Sequence, residues 1–259
     1  MTDNNNKKYC TSITTEYDCP IELDWLSTDS LSTFEKLSKA HQGYWNQRQR
    51  DNNPIKYDLN KYGFRSDEFP EKECRESITF IGCSNTVGIG VAKEDSWTYQ
   101  VANELGLDEI NLGIAAGSSD SAFRVYNEWQ PIHKSKITCF LLPPPNRLET
   151  VGQDMTTWQN VGHWTLDKED KEGNPINEFM PQEVTLSLLH EELCNVRVDR
   201  NIAAVSWIAH KTNSNLIVIP YTGKVSKNDK LDTGRDCCHG GLHTNKFYAQ
   251  RFLDGIKNA

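Results

Sequence analysis

The stretch Ile78-Thr-Phe-Ile-Gly82-Cys83-Ser84 decides the fold. Its β-branched and aromatic residues form a short apolar run, which predicts a buried strand over 77–82. The run ends at Gly82, which predicts a tight turn, and the turn carries Ser84. In open α/β sheets, ligands bind at the carboxyl ends of the strands. Ser84 is therefore a candidate functional residue.

Further apolar runs alternate with helical periodicity on both sides of this stretch. Strands are predicted at 77–82, 109–114, 136–142 and 215–221, and helices at 96–105, 119–129, 181–212 and 242–256. Strands that alternate with helices indicate right-handed βαβ units and a parallel sheet covered on both faces. The predicted fold is a single three-layer α/β/α sandwich with a central parallel sheet.

The chain has 259 residues, which fits one large domain with an appendage. Residues 1–76 are polar and predict an N-terminal extension packed on the core; residues 77–259 form the main domain. An insertion at about 146–180 follows the third strand and carries Trp158 and Trp164. It is predicted to overhang the site. Its tryptophans either stack on a sugar substrate or anchor the loop to the core.

Composition excludes several classes of function. A net charge of −8 argues against a nucleic-acid or acidic-membrane partner. No apolar run reaches the roughly 18 residues of a membrane span. The eight cysteines contain no Cys-x-x-Cys pair, so a zinc-ribbon site is unsupported. Neither a metal nor a cofactor is predicted. The first residues lack the apolar segment of a secretory signal, which favours a cytoplasmic location without signal-directed export.

The second informative motif is Arg235-Asp236-Cys-Cys-His239, just before the last predicted helix. A serine hydroxyl is a poor nucleophile near neutral pH; it needs a base, and a carboxylate to orient that base. Ser84, His239 and Asp236 supply these three groups. His243 is a rival base, although a histidine in the first turn of a helix is more often a surface or capping residue.

The segment Asn111-Leu-Gly-Ile-Ala-Ala-Gly117 predicts a strand that runs into a small-residue turn and a helix. Backbone N–H groups at such a turn can face a developing oxyanion. The alternative is an ordinary loop in which Ser118 or Ser119 caps the helix. The glycines after Ser84 also suggest a phosphate loop, but the Walker pattern of Gly-Lys-Ser/Thr does not follow.

Together these blocks resemble the SGNH hydrolases, also called the GDSL esterase/lipase family. Gly82-Cys83-Ser84-Asn85 stands where the family has Gly-Asp-Ser-Leu, and Pro145-Asn146 where it has Gly-x-Asn. The resemblance covers residues 77–256 and implies a flavodoxin-like SGNH fold. It implies Ser84, Asp236 and His239 as catalytic residues, and an oxyanion hole from the N–H groups of Ser84 and Gly117 and the amide of Asn146.

The resulting functional prediction is a serine esterase that hydrolyses a small acyl ester, with an O-acetyl group on a carbohydrate as the more specific substrate. Trp158 and Trp164 are its candidate substrate-binding residues. The alternative is a non-catalytic SGNH-fold module that binds or docks in a larger assembly, including a virion. A third alternative is a nucleotide-binding flavodoxin-like protein.

Overall fold

A computed structural model describes residues 18–37, 55–151, 158–162, 182–227 and 230–259. In chain order the elements are β1 (Ile21–Leu23), α1 (Leu31–Leu37), β2 (Tyr57–Leu59), β3 (Ser77–Gly82), α2 (Ser84–Val87), α3 (Trp97–Leu105), β4 (Asp108–Asn111), α4 (Ser119–His133), β5 (Ile137–Leu142), β6 (Arg147–Val151), β7 (Trp158–Gly162), α5 (Gln182–Leu188), α6 (Glu191–Thr212), β8 (Asn215–Pro220), β9 (Ser226–Lys227), β10 (Lys230–Leu231) and α7 (Leu242–Lys257). A single turn of 3₁₀ helix covers Lys93–Asp95.

The central sheet has four parallel strands in the order β4-β3-β5-β8. Gly82, the last residue of β3, pairs with Leu141 near the end of β5, so both strands end at the same edge. With the strands counted from β3, this is the 2-1-3-4 order of flavodoxin-like sheets. The predicted parallel sheet is confirmed.

Apolar side chains cover both faces of the sheet because β3 alternates its residues between them. Ile81 faces helices α4 and α6, where it packs with Tyr126 and Val205 among others. Ile78 and Phe80 face helices α3 and α7; there the Trp97 ring stacks on Phe252 with centroids 4.5 Å apart. The fold is therefore the predicted three-layer α/β/α sandwich.

The described parts of the N-terminal region lie against this sandwich. Strands β1 and β2 form an antiparallel pair, and Tyr57 and Leu59 pack with Val87 and Ile89, which follow the Ser84 turn. Phe64 and Phe69 join the core on the α4 side of the sheet. Arg65 donates to three backbone carbonyls of the segment after Ser84, those of Val87, Gly88 and Val91. The N-terminal region thus holds in place the segment that directly follows the candidate nucleophile Ser84.

Several element bounds differ from the predicted ones. Strand β4 ends at Asn111, before the predicted 114, although the N–H groups of Leu112 and Ile114 still donate to the Phe80 and Gly82 carbonyls of β3 ahead of the turn. Helix α4 continues through Pro131 to His133. The predicted helical stretch 181–212 is two helices, α5 and α6. Strands β6 and β7 of the predicted insertion form an antiparallel pair.

Within the described residues, no helix has the length and apolarity needed to span a bilayer.

Candidate active site

Ser84 lies directly beyond the carboxyl end of β3, as the first residue of the short helix α2. Gly82 makes this turn possible with a φ of 153°. A Cβ at this position would lie 2.3 Å from Thr86 Oγ1 and 2.6 Å from the Leu141 carbonyl oxygen, so no larger residue fits. Because Ser84 is the first residue of a helix, its N–H has no intrahelical acceptor.

The loop before α7 brings Asp236 and His239 to Ser84. Nε2 of His239 lies 2.6 Å from Ser84 Oγ, and Nδ1 of the same ring lies 2.5 Å from Asp236 Oδ2. Ser84 is 5% exposed and Asp236 is fully buried. The serine, the imidazole and the carboxylate therefore form one hydrogen-bonded line. This is the geometry in which the imidazole can remove the serine proton while the carboxylate holds its orientation.

Asp236 is held ionised by its hydrogen bonds. Burial alone would raise the pKa of this carboxyl, but the bonds and charge of His239 outweigh it, and the Thr28 hydroxyl adds to them; the pKa is lowered to about 2. Oδ1 accepts the backbone N–H groups of Cys238 and His239 at 3.0 and 2.9 Å. At neutral pH the group behind His239 is therefore a carboxylate that can only accept hydrogen bonds.

Thr28 is a residue of this site that the sequence did not indicate. Its Oγ1 donates to Asp236 Oδ2 at 2.7 Å and lies 3.4 Å from His239 Nδ1. Thr28 is 208 positions from Asp236 in the chain, so no spacing or local motif links them. The N-terminal region thus reaches the Nδ1 side of His239, opposite to the side that faces Ser84.

A second contact between the N-terminal region and the same loop lies next to Thr28. The buried carboxylate of Asp29 accepts Nε of Arg235 at 2.8 and 2.9 Å and the Tyr57 hydroxyl at 2.5 Å. The Tyr57 hydroxyl in turn accepts the N–H of Gly90 at 2.9 Å. The Arg235 guanidinium also lies over the Trp25 ring, 3.9 Å from its centroid. These contacts fix the residue that precedes Asp236.

The predicted oxyanion donor Gly117 lies at the end of a turn at Ile114–Gly117. Its N–H donates to the Ile114 carbonyl at 2.9 Å, a bond that competes with the predicted role, and the oxyanion role of Gly117 stays a prediction. The alternative interpretation is that Ser118 or Ser119 caps the next helix. It is confirmed for Ser118, whose side chain accepts the N–H of Ser121 at the start of α4. The two central residues of the turn, Ala115 and Ala116, are half-buried, and Ala116 has a φ of 58°.

Asn146 is half-buried and follows β5 immediately before β6. Since β5 pairs with β3, Asn146 lies beyond the sheet edge at which Ser84 is found. Its neighbour Arg147 lies with one guanidinium nitrogen 3.4 Å from the Gly117 carbonyl. Burial raises the pKa of Tyr221, which follows β8 at this edge; the charges of Tyr248 and Cys83 add to the shift, and Arg147 opposes it.

The remaining predicted residues stand apart from the triad contacts. The Trp158 ring lies over the guanidinium of Arg124, 4.8 Å from its centroid, and Trp158 pairs with Val151 at the far end of the β6–β7 pair from Arg147. Trp164 lies outside the described residues. Substrate binding by Trp158 and Trp164 therefore stays a prediction. His243 lies in the first turn of α7, and the histidine that contacts Ser84 is His239.

Within the described ranges, no group of three or more His, Cys, Asp or Glu side chains is arranged to hold a metal ion. The fold and site together define an α/β/α sandwich with a serine, a histidine and an aspartate in contact at the carboxyl edge of its sheet. The residues present can supply a nucleophile, a base and an orienting carboxylate.

No family model and no curated protein sequence matches the chain. Solved structures do match. A protein described as lipolytic and of the G-D-S-L family, from Desulfitobacterium hafniense DCB-2, is 13% identical, with 71% of this chain and 73% of that chain covered and a TM-score of 0.34. The psychrotrophic esterase EstA from Pseudoalteromonas sp. is 14% identical, with 71% and 97% covered and a TM-score of 0.36.

A protein from Bacteroides ovatus ATCC 8483, described as a GDSL-like lipase, is 12% identical, with 74% of this chain and 55% of that chain covered and a TM-score of 0.35. Two of these three descriptions name the family that the sequence blocks resemble. At these identities and TM-scores the similarity carries no argument about activity, which rests on the side chains around Ser84.

Proposed function

We propose that the chain is a serine esterase that hydrolyses a small acyl ester with Ser84 as nucleophile, His239 as base and Asp236 as orienting carboxylate. The observation that carries the proposal is the 2.6 Å contact between Ser84 Oγ and His239 Nε2, with Asp236 bound to the other ring nitrogen. General-base catalysis needs a serine hydroxyl bonded to one nitrogen of an imidazole and a buried carboxylate bonded to the other, and these three groups have that arrangement.

The reaction proceeds in two balanced halves. Ser84 Oγ attacks the acyl carbonyl carbon while Nε2 of His239 takes the hydroxyl proton. The tetrahedral intermediate then breaks its bond to the leaving alcohol, which receives that proton from His239, and an acyl-serine remains. Water, deprotonated by His239, attacks the acyl-serine in the second half. The carboxylic acid leaves and Ser84 regains its proton.

The developing oxyanion needs donors at the same sheet edge. We assign this role to the N–H of Ser84, to the side-chain amide of Asn146 and to a backbone N–H of the turn at Ile114–Gly117. Support comes from the position of Ser84 at the start of α2 and from the half-buried position of Asn146 after β5. Loss of one such donor typically lowers the rate about 10²–10³-fold.

The more specific proposal is that the acyl group is an acetyl on a carbohydrate. It rests on the aromatic and polar insertion that contains Trp158 and Trp164. Aromatic faces can stack on sugar rings. The Arg124 guanidinium lies over the Trp158 ring, and this contact supports a different role. The competing role for Trp158 is to fix the β6–β7 pair to helix α4, and the paired substrates below separate the two.

The second candidate function is a non-catalytic module of the same fold. Such a module is favoured if the N-terminal region fills the site. The described part of that region reaches the Nδ1 side of His239 through Thr28, whereas catalysis takes place on the Nε2 side. The contact therefore favours catalysis over a plugged site.

An alkyl fluorophosphonate probe tests the nucleophile. The activated Ser84 oxygen forms a bond to phosphorus, fluoride leaves and the proton passes to His239. We expect one label per chain, on the peptide that contains Ser84, and no labelling of Ser84→Ala or His239→Ala. Labelling of another residue, or equal labelling of Ser84→Ala, contradicts the proposal.

A pair of substrates tests the carbohydrate part. Trp158→Ala and Trp164→Ala together should lower kcat/KM on an acetylated oligosaccharide far more than on p-nitrophenyl acetate. Trp207→Ala serves as the control, because Trp207 is an exposed tryptophan on helix α6 and its loss should leave both rates unchanged. Equal losses on both substrates would assign the two insertion tryptophans to folding.

A further inference from the structure

The geometry assigns Thr28 as a positioning residue of the triad, a fourth member that acts on the reaction through Asp236. The inference rests on the proposed function, since it concerns how the carboxylate is held during that reaction. Its basis is the 2.7 Å bond from Thr28 Oγ1 to Asp236 Oδ2, the same oxygen that His239 Nδ1 contacts.

The hydrogen bonds of Asp236 show why a fourth donor is useful there. A carboxylate has about four acceptor positions. The N–H groups of Cys238 and His239 take two of them on Oδ1, and His239 Nδ1 takes one on Oδ2. The Thr28 hydroxyl takes the remaining one and comes from a part of the chain remote from the Asp236 loop. With it, both oxygens have two donors, and rotation of the carboxylate breaks bonds on both sides.

The backbone around Thr28 is itself held in place. Thr28 lies in a turn closed by two bonds between Leu26 and Asp29, at 2.9 and 3.1 Å. The next side chain, Asp29, is fully buried and bonded to Arg235. The turn is thus tied to the loop that carries Asp236 by two side chains in succession. A hydroxyl on a rigid turn can fix a carboxylate, whereas one on a free chain cannot.

The position of Thr28 also explains which substitution tests it. Thr28 itself is exposed, while the carboxylate that it contacts is buried. Truncation to alanine would let a water molecule replace the hydroxyl. Valine keeps the shape of threonine, removes the donor and blocks the water. Thr28→Val is therefore the informative variant, and Thr28→Ser, which retains the hydroxyl, is its rescue.

We expect Thr28→Val to lower kcat about tenfold, as the loss of one hydrogen bond to a charged group allows. KM should stay unchanged, because Thr28 lies on the side of His239 away from Ser84. Thr28→Ser should retain activity. Thr33→Val is the matched control, since the Thr33 hydroxyl bonds Ser30 in the same region and does not touch the triad. The ¹³C resonance of the Asp236 carboxylate at neutral pH should move in Thr28→Val only.

The readouts separate the two proposals. If the wild type hydrolyses esters while Thr28→Val matches it in kcat and in the Asp236 resonance, the role of Thr28 is overturned and the esterase proposal stands. An equal fall of kcat in Thr28→Ser, or in Thr33→Val, also overturns it. If the wild type hydrolyses no ester, the esterase proposal fails. The positioning role of Thr28 is then overturned with it, and the Asp236 resonance reports only whether the contact exists.

Discussion

Ser84 Oγ lies 2.6 Å from Nε2 of His239, although 155 positions separate the two residues in the chain. The parallel sheet explains the meeting, because Ser84 follows the end of β3 and the His239 loop leads from the end of β8 into α7. The hydroxyl and the imidazole therefore meet where the carboxyl ends of the strands lie together. Three predictions test what this contact does, and a fourth concerns the stability of the fold in mild acid.

Asp236→Asn should lower kcat on p-nitrophenyl acetate by about 10³–10⁴-fold with little change in the fold. An amide in place of the carboxylate offers an N–H donor, so it cannot reliably accept the Nδ1 proton that orients His239. Initial rates over a range of substrate concentrations give kcat and KM separately. Asp254→Asn, an exposed change on α7, should keep full activity. A loss below about tenfold in Asp236→Asn would contradict the role of this carboxylate.

Gly90→Ala should impair both stability and turnover, and Gly106→Ala should impair stability alone. Both glycines have positive φ, 82° and 62°, so alanine strains the backbone by about 1–2 kcal/mol at either position. Only at Gly90 does the new Cβ meet a neighbour, at 3.0 Å from Asp236 Oδ1, whereas nothing lies within 4 Å at Gly106. Urea unfolding and kcat measured on both variants check this. A fully active Gly90→Ala would show that Asp236 tolerates displacement.

His133 should make the protein sensitive to mild acid. It is fully buried, its ring stacks on Trp129, and burial lowers its pKa from 6.5 to about 4. The unfolded chain therefore binds a proton between about pH 6.5 and pH 4 that the folded chain does not. Stability is full above this window and is lost as the pH falls through it, by roughly 3 kcal/mol for a group of this shift.

Urea unfolding at a series of pH values measures the contribution of His133. His133→Phe keeps an aromatic ring between Trp129 and Phe69 and should flatten the dependence between pH 6.5 and 4. His210→Phe, a change at an exposed site, should leave it as in the wild type. An unchanged slope in His133→Phe would mean that other groups cause the acid sensitivity.

The sheet could be predicted from sequence because its signals are local. Each strand is an apolar run of suitable length, and each helix shows one apolar face, as in Trp97, Val101 and Ala102 of α3. The triad candidates Ser84, Asp236 and His239 could also be predicted. Parallel strands place their carboxyl ends at one edge of the sheet, so residues that follow different strands come together there. Fold class and triad candidates thus follow from patterns within short windows.

The other features depend on contacts that leave no local pattern. Thr28 is one threonine in a polar stretch, and only the folded chain brings it to Asp236. Gly117 lies in a small-residue turn, which is compatible with an oxyanion hole. The bond from its N–H to the Ile114 carbonyl depends on the backbone angles of the turn, and these cannot be derived from the residue types. Helix α4 passes Pro131 although proline usually ends a helix, and the Trp129 and His133 rings stack on each other in its last turns.

The most direct test of the central claim is the rate of p-nitrophenyl acetate hydrolysis by the wild type and Ser84→Ala, side by side, at equal concentration and with thermal unfolding measured on both. The proposal predicts turnover by the wild type, background hydrolysis by Ser84→Ala, and closely similar Tm values, since removal of one hydroxyl at a turn costs little stability. Absence of turnover by the wild type on this and other short acyl esters, or equal rates for the two proteins, would contradict it.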